Sequence, residues 1–311
     1  MIKRTLCFSN PAYLSLKDGQ LCLRLPEVEK AELSTEFKKA AERTIPVEDI
    51  GVVVIDHKQI TITSGLLAAL LENNCAVITC DNRNMPTGLM LPLCGNTLQS
   101  ERFREQLDAS LPLKKQLWQQ TVQQKIHNQA EAMKRCSMYE TGCFGKWEQE
   151  VRSGDADNME ARAAAYYWKH YLPEKTDFIR DREGIWPNAL LNYGYAILRA
   201  VIARALVGTG LLPTLGIHHH NRYNAYCLAD DIMEPYRPFV DKLVYELIHK
   251  YPEKSALDKT LKAELLMIPV LDVMIGGKRS PLMIAATQTT ASLQKCFSGE
   301  IRKISYPEFG G

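Results

Sequence analysis

Apolar and polar positions alternate along the first eighty residues. Residues 5–10 (TLCFSN) and 12–16 (AYLSL) lead into KDGQ at 17–20 and then LCLRL at 21–25. An Asp-Gly pair between two alternating segments predicts a β-hairpin. Residues 47–63 (VEDIGVVVIDHKQITIT) add two strands rich in Val, Ile and Thr. Ser64 is placed to cap a short helix, GLLAALLENN, and CAVITC at 75–80 follows as a buried strand. Beyond Leu98 the period changes. In residues 113–135, Leu113, Leu117, Val122, Ile126, Ala130 and Met133 recur close to one helical face. Pro112 separates this helix from a preceding one over 100–110. Further helices are predicted over 158–171, 188–207, 224–250 and 259–266, with a small β turn over 270–277. The predicted class is α+β in two domains. Residues 1–95 form a β-rich domain with one helix and a short linker, and residues 96–311 a larger all-helical domain.

Composition changes this picture little. The 311 residues are 46% hydrophobic and 24% charged, ordinary for a globular protein with a sizeable core. The longest uninterrupted apolar runs, such as 265–271, are too short to span a bilayer. The amino-terminal stretch makes a poor signal peptide, and the expected location is the cytoplasm. Nine cysteines without a CxxC pair point to reduced thiols rather than a zinc or disulfide framework. The net charge of +2 announces no nucleic-acid binding, so any basic surface arises by folding. Walker A, GxSxG, HExxH and GxGxxG motifs are absent.

The chemistry concentrates in residues 216–241, GIHHHNRYNAYCLADDIMEPYRPFVD. Three histidines precede Asp230, Asp231 and Glu234. On a helix Asp231 and Glu234 share a face, and grouped carboxylates are tolerated when solvated, ion-paired or bound to metal. A solvated face with Arg237 as ion-pair partner of Glu234, and a plain polar turn for the histidines, is the competing reading. Upstream, Glu160 opens a helix with Asp157 or Asn158 as its cap, followed by the small residues Ala161, Ala163, Ala164 and Ala165. A first-turn Glu ordinarily complements the helix dipole. Together with a loop His and a second helix-borne Glu it makes an oxygen and nitrogen donor set, which favours Mg²⁺ or Mn²⁺ and leaves positions open for substrate.

These residues resemble a known family. Gly216-Ile217-His218-His219, LADDIMEPYRPFVD, LNYGYAIL at 191–198 and NMEARAAAYYW around Glu160 closely resemble the CRISPR-associated integrases of the Cas1 family. SNPAYLSL, IPVEDIGVVVIDHKQITIT and MPTGLMLPL resemble the branch that accompanies type II systems. The resemblance runs over essentially the whole chain. It implies a β-rich amino-terminal domain and a helical catalytic domain. It also implies a metal-dependent DNA endonuclease and integrase, which joins DNA 3′-hydroxyls to repeat phosphodiesters and so inserts spacers into a CRISPR array. Carried over, the catalytic and metal-binding trio falls on Glu160, His219 and Glu234, with His218 and His220 as alternatives in the same loop. The partners implied are double-stranded DNA, a second copy of the chain and the small protein Cas2. The homodimer contact is expected in residues 1–80. Lys114, Lys115, Lys134, Arg135, Lys278 and Arg279 are candidates for phosphate contacts.

Overall fold

The computed structural model describes residues 2–32, 34–172, 178–181 and 186–310. Two compact units divide the chain, Met1–Gly95 and Asn96–Gly311, and each has its own core.

In the first unit the Val- and Ile-rich segments pair as two four-stranded sheets. Strands β1 (Arg4–Phe8), β5 (Ile50–Ile55), β7 (Ala76–Cys80) and β8 (Pro86–Met90) lie in that order. The first three are parallel, and β8 is antiparallel to β7. Strands β2 (Ala12–Lys17), β3 (Gln20–Arg24), β4 (Arg43–Pro46) and β6 (Ile60–Ile62) form the other sheet, ordered β4-β3-β2-β6. Asp18 and Gly19 take φ of 51° and 71° at the β2–β3 turn, as a type I′ hairpin requires. Leu14, Leu21, Ile50, Val53, Leu66, Leu70 and Val77 fill the core. Among the described residues the unit holds three α-helices rather than one: α1 (Pro26–Lys30), α2 (Thr35–Ala41) and α3 (Ser64–Glu72). No residue of α1 or α2 is buried. They therefore lack the apolar stripe by which a helix is read from sequence. The cap of α3 is Thr63, whose hydroxyl accepts from Leu66 N–H, with Ser64 inside the helix.

The second unit contains α4 (Gln99–Asp108), α5 (Leu111–Arg135), α6 (Gly142–Glu150), α7 (Met159–Tyr171), α8 (Asn188–Gly208), α9 (Cys227–Met233), α10 (Arg237–Lys250), α11 (Lys259–Leu265) and α12 (Leu282–Phe297). It is not all-helical. Strands β9 (Asp272–Ile275) and β10 (Lys278–Pro281) form a hairpin about Gly276 and Gly277, both at positive φ, and Met274 pairs with Glu308. Helix α5 packs against α6, α7, α9 and α10. Helix α8 is long and apolar enough to cross a membrane by length and composition. The expectation from short apolar runs missed it because Asn192, Arg199 and Arg204 interrupt the helix. Its Leu190, Leu191, Ile197, Leu198, Val201, Ile202 and Leu206 are buried in the core of the unit.

The helix predicted over 224–250 is broken. Helix α9 ends at Met233, a 3₁₀ turn covers Glu234–Tyr236, and α10 begins at Arg237. Pro235 and Pro238 cause the break: neither supplies the N–H that a continuous helix uses. Glu234 thus stands on a tight turn between two helices. None of the nine cysteines stands in a disulfide; Cys22, Cys75, Cys227 and Cys296 are buried and Cys94 is exposed.

Candidate functional site

Helix α5 is the platform of the site. Trp118 and Lys125, seven residues apart, lie two turns apart on one face of it. The His218 ring stacks on Trp118 at 4.1 Å between centroids, and the His219 ring meets Trp118 edge-on at 5.6 Å. Lys125 Nζ lies 2.6 Å from Glu160 Oε1 and 2.5 Å from Glu234 Oε2. Two carboxylates of distant sequence origin therefore converge on one buried ammonium.

Each carboxylate is placed by its own backbone device. Glu160 stands in the first turn of α7. That turn is capped by Asp155, not by Asp157 or Asn158: its two oxygens accept from Met159 N–H at 2.8 Å and Glu160 N–H at 3.0 Å. Asp155 and Asn158 take positive φ to make this turn, a conformation that Asn and Asp tolerate. Asp157 pairs instead with Arg152. Of the neighbouring alanines only Ala163 is buried. Glu234 Oε1 accepts from Arg237 Nε at 2.8 Å. Glu234 Oε2 is buried without an acceptable hydrogen bond, although Lys125 Nζ is in ion-pair range. The ammonium is near but poorly aligned for a hydrogen bond. The attraction there is chiefly one of charge. Burial pushes the Glu234 carboxyl up, but Arg237 and Lys125 outweigh it and hold it down at about 2. Burial opposes the Lys125 charge, yet Glu234 and Glu160 raise its pKa above the ordinary range.

Asp231 does not join this pair. Its side chain is fully buried and turns back to the histidine loop. Oδ2 accepts from Ile217 N–H at 2.7 Å and His218 N–H at 3.0 Å, and Oδ1 from His219 N–H at 3.2 Å. Oδ1 also lies 2.5 Å from His219 Nδ1. This hydrogen bond is the leading cause of the raised pKa of His219, whereas burial lowers that of His218. Bonding at Nδ1 leaves Nε2 as the ligating or proton-carrying nitrogen. Gly216 lets the loop close. A Cβ there would stand 2.4 Å from the His219 carbonyl oxygen and 2.7 Å from Asp231 Oδ2. Asp230 is engaged elsewhere, with Arg199 Nε at 2.6 Å and Asn224 at 2.7 Å.

Among the described residues, no three His, Cys, Asp or Glu side chains stand close enough to hold a metal ion as a closed cluster. Glu160 and Glu234 are brought together at Lys125, and His219 is oriented by Asp231. The donor types fit a divalent ion. Two carboxylates already share a cation, and one buried oxygen lacks a hydrogen bond. A groove of about 350 Å³ adjoins His219, lined by Lys114, Gly216, His220, Asn221, Arg222 and Asn224 among others. Of the other basic candidates, Lys134 and Arg135 pair with Glu131, and Arg279 pairs with Asp272. Arg237 does pair with Glu234, as the competing sequence reading had it. Nothing in the sequence pattern singles out Lys125, Trp118 or Asp155. Lys125 sits among glutamines on a long helix, and no local spacing links it to carboxylates 35 and 109 residues away.

A sequence model of the family described as CRISPR associated protein Cas1 matches residues 7–266. The chain belongs to this family. It is 36% identical over 301 residues to the CRISPR-associated endonuclease Cas1 of Neisseria meningitidis serogroup C, covering 94% of this chain and 92% of that one. It is 30% identical over 270 residues to a CRISPR-associated endonuclease Cas1 of Pyrobaculum aerophilum, covering 83% and 90%. In fold it is similar to a casposase bound to integration product, with a TM-score of 0.77 at 19% identity, covering 98% of this chain and 92% of that one. It is also similar to a Cas1 protein from Thermotoga maritima, with a TM-score of 0.72 at 14% identity over 99% of both chains. At these identities the likeness is one of fold: the β-rich first unit and helical second unit are the Cas1 arrangement.

Proposed function

We propose that this chain is a metal-dependent DNA endonuclease and integrase. It inserts new spacers into a CRISPR array, with Mg²⁺ or Mn²⁺ held by Glu160, His219 and Glu234. The observation that carries the reading is the convergence of Glu160 and Glu234 on one cation, with His219 bearing on the charge of Glu234, in a chain whose relatives are named CRISPR-associated endonucleases. When bound, the ion lowers the pKa of the attacking 3′-hydroxyl or water and offsets charge on the phosphate.

The chain's own residues do the positioning. Glu160 and Glu234 present hard oxygen donors, and Arg237 keeps Glu234 ionised. Asp231 fixes the tautomer and orientation of His219. The groove beside His219 offers Lys114, His220 and Arg222 to a phosphate-bearing strand. In this reading the partners are duplex DNA, a second copy of the chain joined through the β-rich unit, and the small protein Cas2, in the cytoplasm. A Cas6-RT-Cas1–Cas2 complex of similar fold, with a TM-score of 0.73 at 19% identity, supports the last partner.

The test is strand transfer of a free duplex into a repeat-bearing plasmid, with Mg²⁺ or Mn²⁺ and the cognate Cas2. Covalently joined products are expected. Glu160→Gln, His219→Ala and Glu234→Gln should each lose about a hundredfold or more, because ligands that act as a unit fail as a unit. His218→Ala and His220→Ala should remain active. Nicking without joining would indicate a nuclease of branched DNA instead. An active His219→Ala beside an inactive His218 or His220 variant would move the ligand within the loop.

A further inference from the structure

Among the described residues, Lys125 is the cation placed between the two carboxylates, and nothing in the proposed chemistry uses it. Its side chain is 11% exposed, and its ammonium reaches both acids from the middle of α5. Glu234 has both oxygens occupied by charge, Oε1 by Arg237 and Oε2 by Lys125. The Lys125 contact is the one without hydrogen-bond alignment. Arg237 holds its oxygen in a directed bond. Lys125 is therefore hydrogen-bonded to Glu160 Oε1 at 2.6 Å and meets only the less firmly bonded oxygen of Glu234.

We propose that Lys125 is a built-in counter-cation that occupies the space between Glu160 and Glu234 and must withdraw when a divalent ion binds there. The inference rests on the reading that these two glutamates are metal ligands. The charge balance leads to it. Glu160 and Glu234 are offset by Lys125 and Arg237, so the closed arrangement is neutral. A divalent ion added to it would leave two excess positive charges in a mostly buried space, where like charges repel far more strongly than in water. Of the two cations, lysine is the one that can leave. Its ammonium rides on a flexible four-carbon stem and makes one directed bond, to Glu160 Oε1 at 2.6 Å, whereas the arginine presents a planar, pre-organised fork, bonded to Glu234 Oε1. With Lys125 in place the acids do not repel each other and the site stays closed. With the ion in place its charge is redundant. Lys125 thereby sets how much ion is needed to open the site for work.

Two measurements on the full-length protein test this. The first is Mn²⁺ binding, read by the free-ion electron paramagnetic resonance signal, for the wild type, Lys125→Met and Glu234→Gln. Lys125→Met should bind Mn²⁺ about tenfold more tightly, on the scale by which neighbours of ligands tune metal affinity. It should also melt at a lower temperature without metal and recover when Mn²⁺ is added. Glu234→Gln should bind weakly or not at all. The second uses the wild type, so it does not depend on a variant folding. Lys125 acylation by a succinimidyl ester is followed by mass spectrometry, with Lys114 as internal reference. Labelling of Lys125 relative to Lys114 should rise several-fold at saturating Mn²⁺.

Unchanged or weaker Mn²⁺ binding by Lys125→Met, with Glu234→Gln impaired, would overturn the counter-cation role and leave the metal site standing. So would unaltered Lys125 labelling in metal-saturated protein. If neither the wild type nor Lys125→Met binds Mn²⁺, the metal-site reading itself falls and takes this inference with it.

Discussion

The Nδ1 of His219 lies 2.5 Å from Oδ1 of Asp231, a carboxylate that also accepts three backbone N–H groups from the loop bearing that histidine. One buried acid thus folds the loop and aims the ring. Asp231→Asn is expected to keep the fold but misdirect His219, costing about 10- to 100-fold in strand transfer. Asp231→Ala strands the three donors and should lower stability by about 3 kcal/mol or more. Thermal melts beside strand-transfer assays check this. An Asp231→Asn protein as active as the wild type would remove Asp231 from the machinery.

Gly216 is required for room. Any side chain there meets a carbonyl oxygen at 2.4 Å and Asp231 Oδ2 at 2.7 Å. Gly216→Ala should therefore open the loop at a cost of about 1–3 kcal/mol and abolish strand transfer, while far-ultraviolet circular dichroism stays native. Gly142→Ala is the control: a Cβ there meets nothing within 4 Å and the backbone is not at positive φ, so transfer should persist.

Asp241 predicts a pH dependence of stability. It is buried in α10 and accepts from the hydroxyls of Tyr167 and Tyr195. Burial nonetheless pushes its pKa up from 3.8 to about 6. Between those values the folded protein holds a proton that the unfolded chain has released. This group's contribution therefore falls as pH rises through that window and is flat above it. Asp241→Asn removes the titration. The stability of the wild type relative to the variant should drop by on the order of 3 kcal/mol between pH 4 and pH 7. Urea unfolding at both pH values measures it, and a difference that grows with pH would contradict the assignment.

Lys114 lines the groove beside His219, whereas Lys134 and Arg135 are committed to Glu131. Lys114→Ala should reduce the salt slope of duplex DNA binding by about 0.9. Lys134→Ala should leave it unchanged. A slope insensitive to Lys114 would take that residue off the DNA path.

Strands β1, β2, β3, β5, β6 and β7 and helices α5, α7 and α8 were legible because burial makes a period visible; strands β4 and β8 and helices α6 and α12 went unread, α12 although it buries Leu282, Met283, Ala286 and Leu293. Helices α1 and α2 bury nothing and left no trace. The break at Glu234 was legible in principle: Pro235 and Pro238 flank it, but the acidic run suggested a continuous helical face. Glu160, His219 and Glu234 carried chemistry in their residue types and in their resemblance to Cas1. Lys125 carried none, because its meaning lies wholly in contacts across the fold. The same holds for Asp231, whose nearness to Glu234 in sequence suggested a shared face. The structure turns it the opposite way, towards the loop whose backbone donors it satisfies.

Asn128, one turn beyond Lys125 on α5, donates to the carbonyl oxygens of Pro235 and Pro307 at 2.7 and 2.9 Å. The residue that follows Glu234 is thereby strapped to a segment made much later in synthesis. A ribosome that has just passed Glu234 has made every candidate ligand but not the Pro307 carbonyl that shares Asn128 with Pro235. Nascent chains arrested before Pro307 are expected to be inert towards DNA and to gain activity only once that segment has emerged. Such an order of assembly would keep a DNA-cutting site silent on the ribosome.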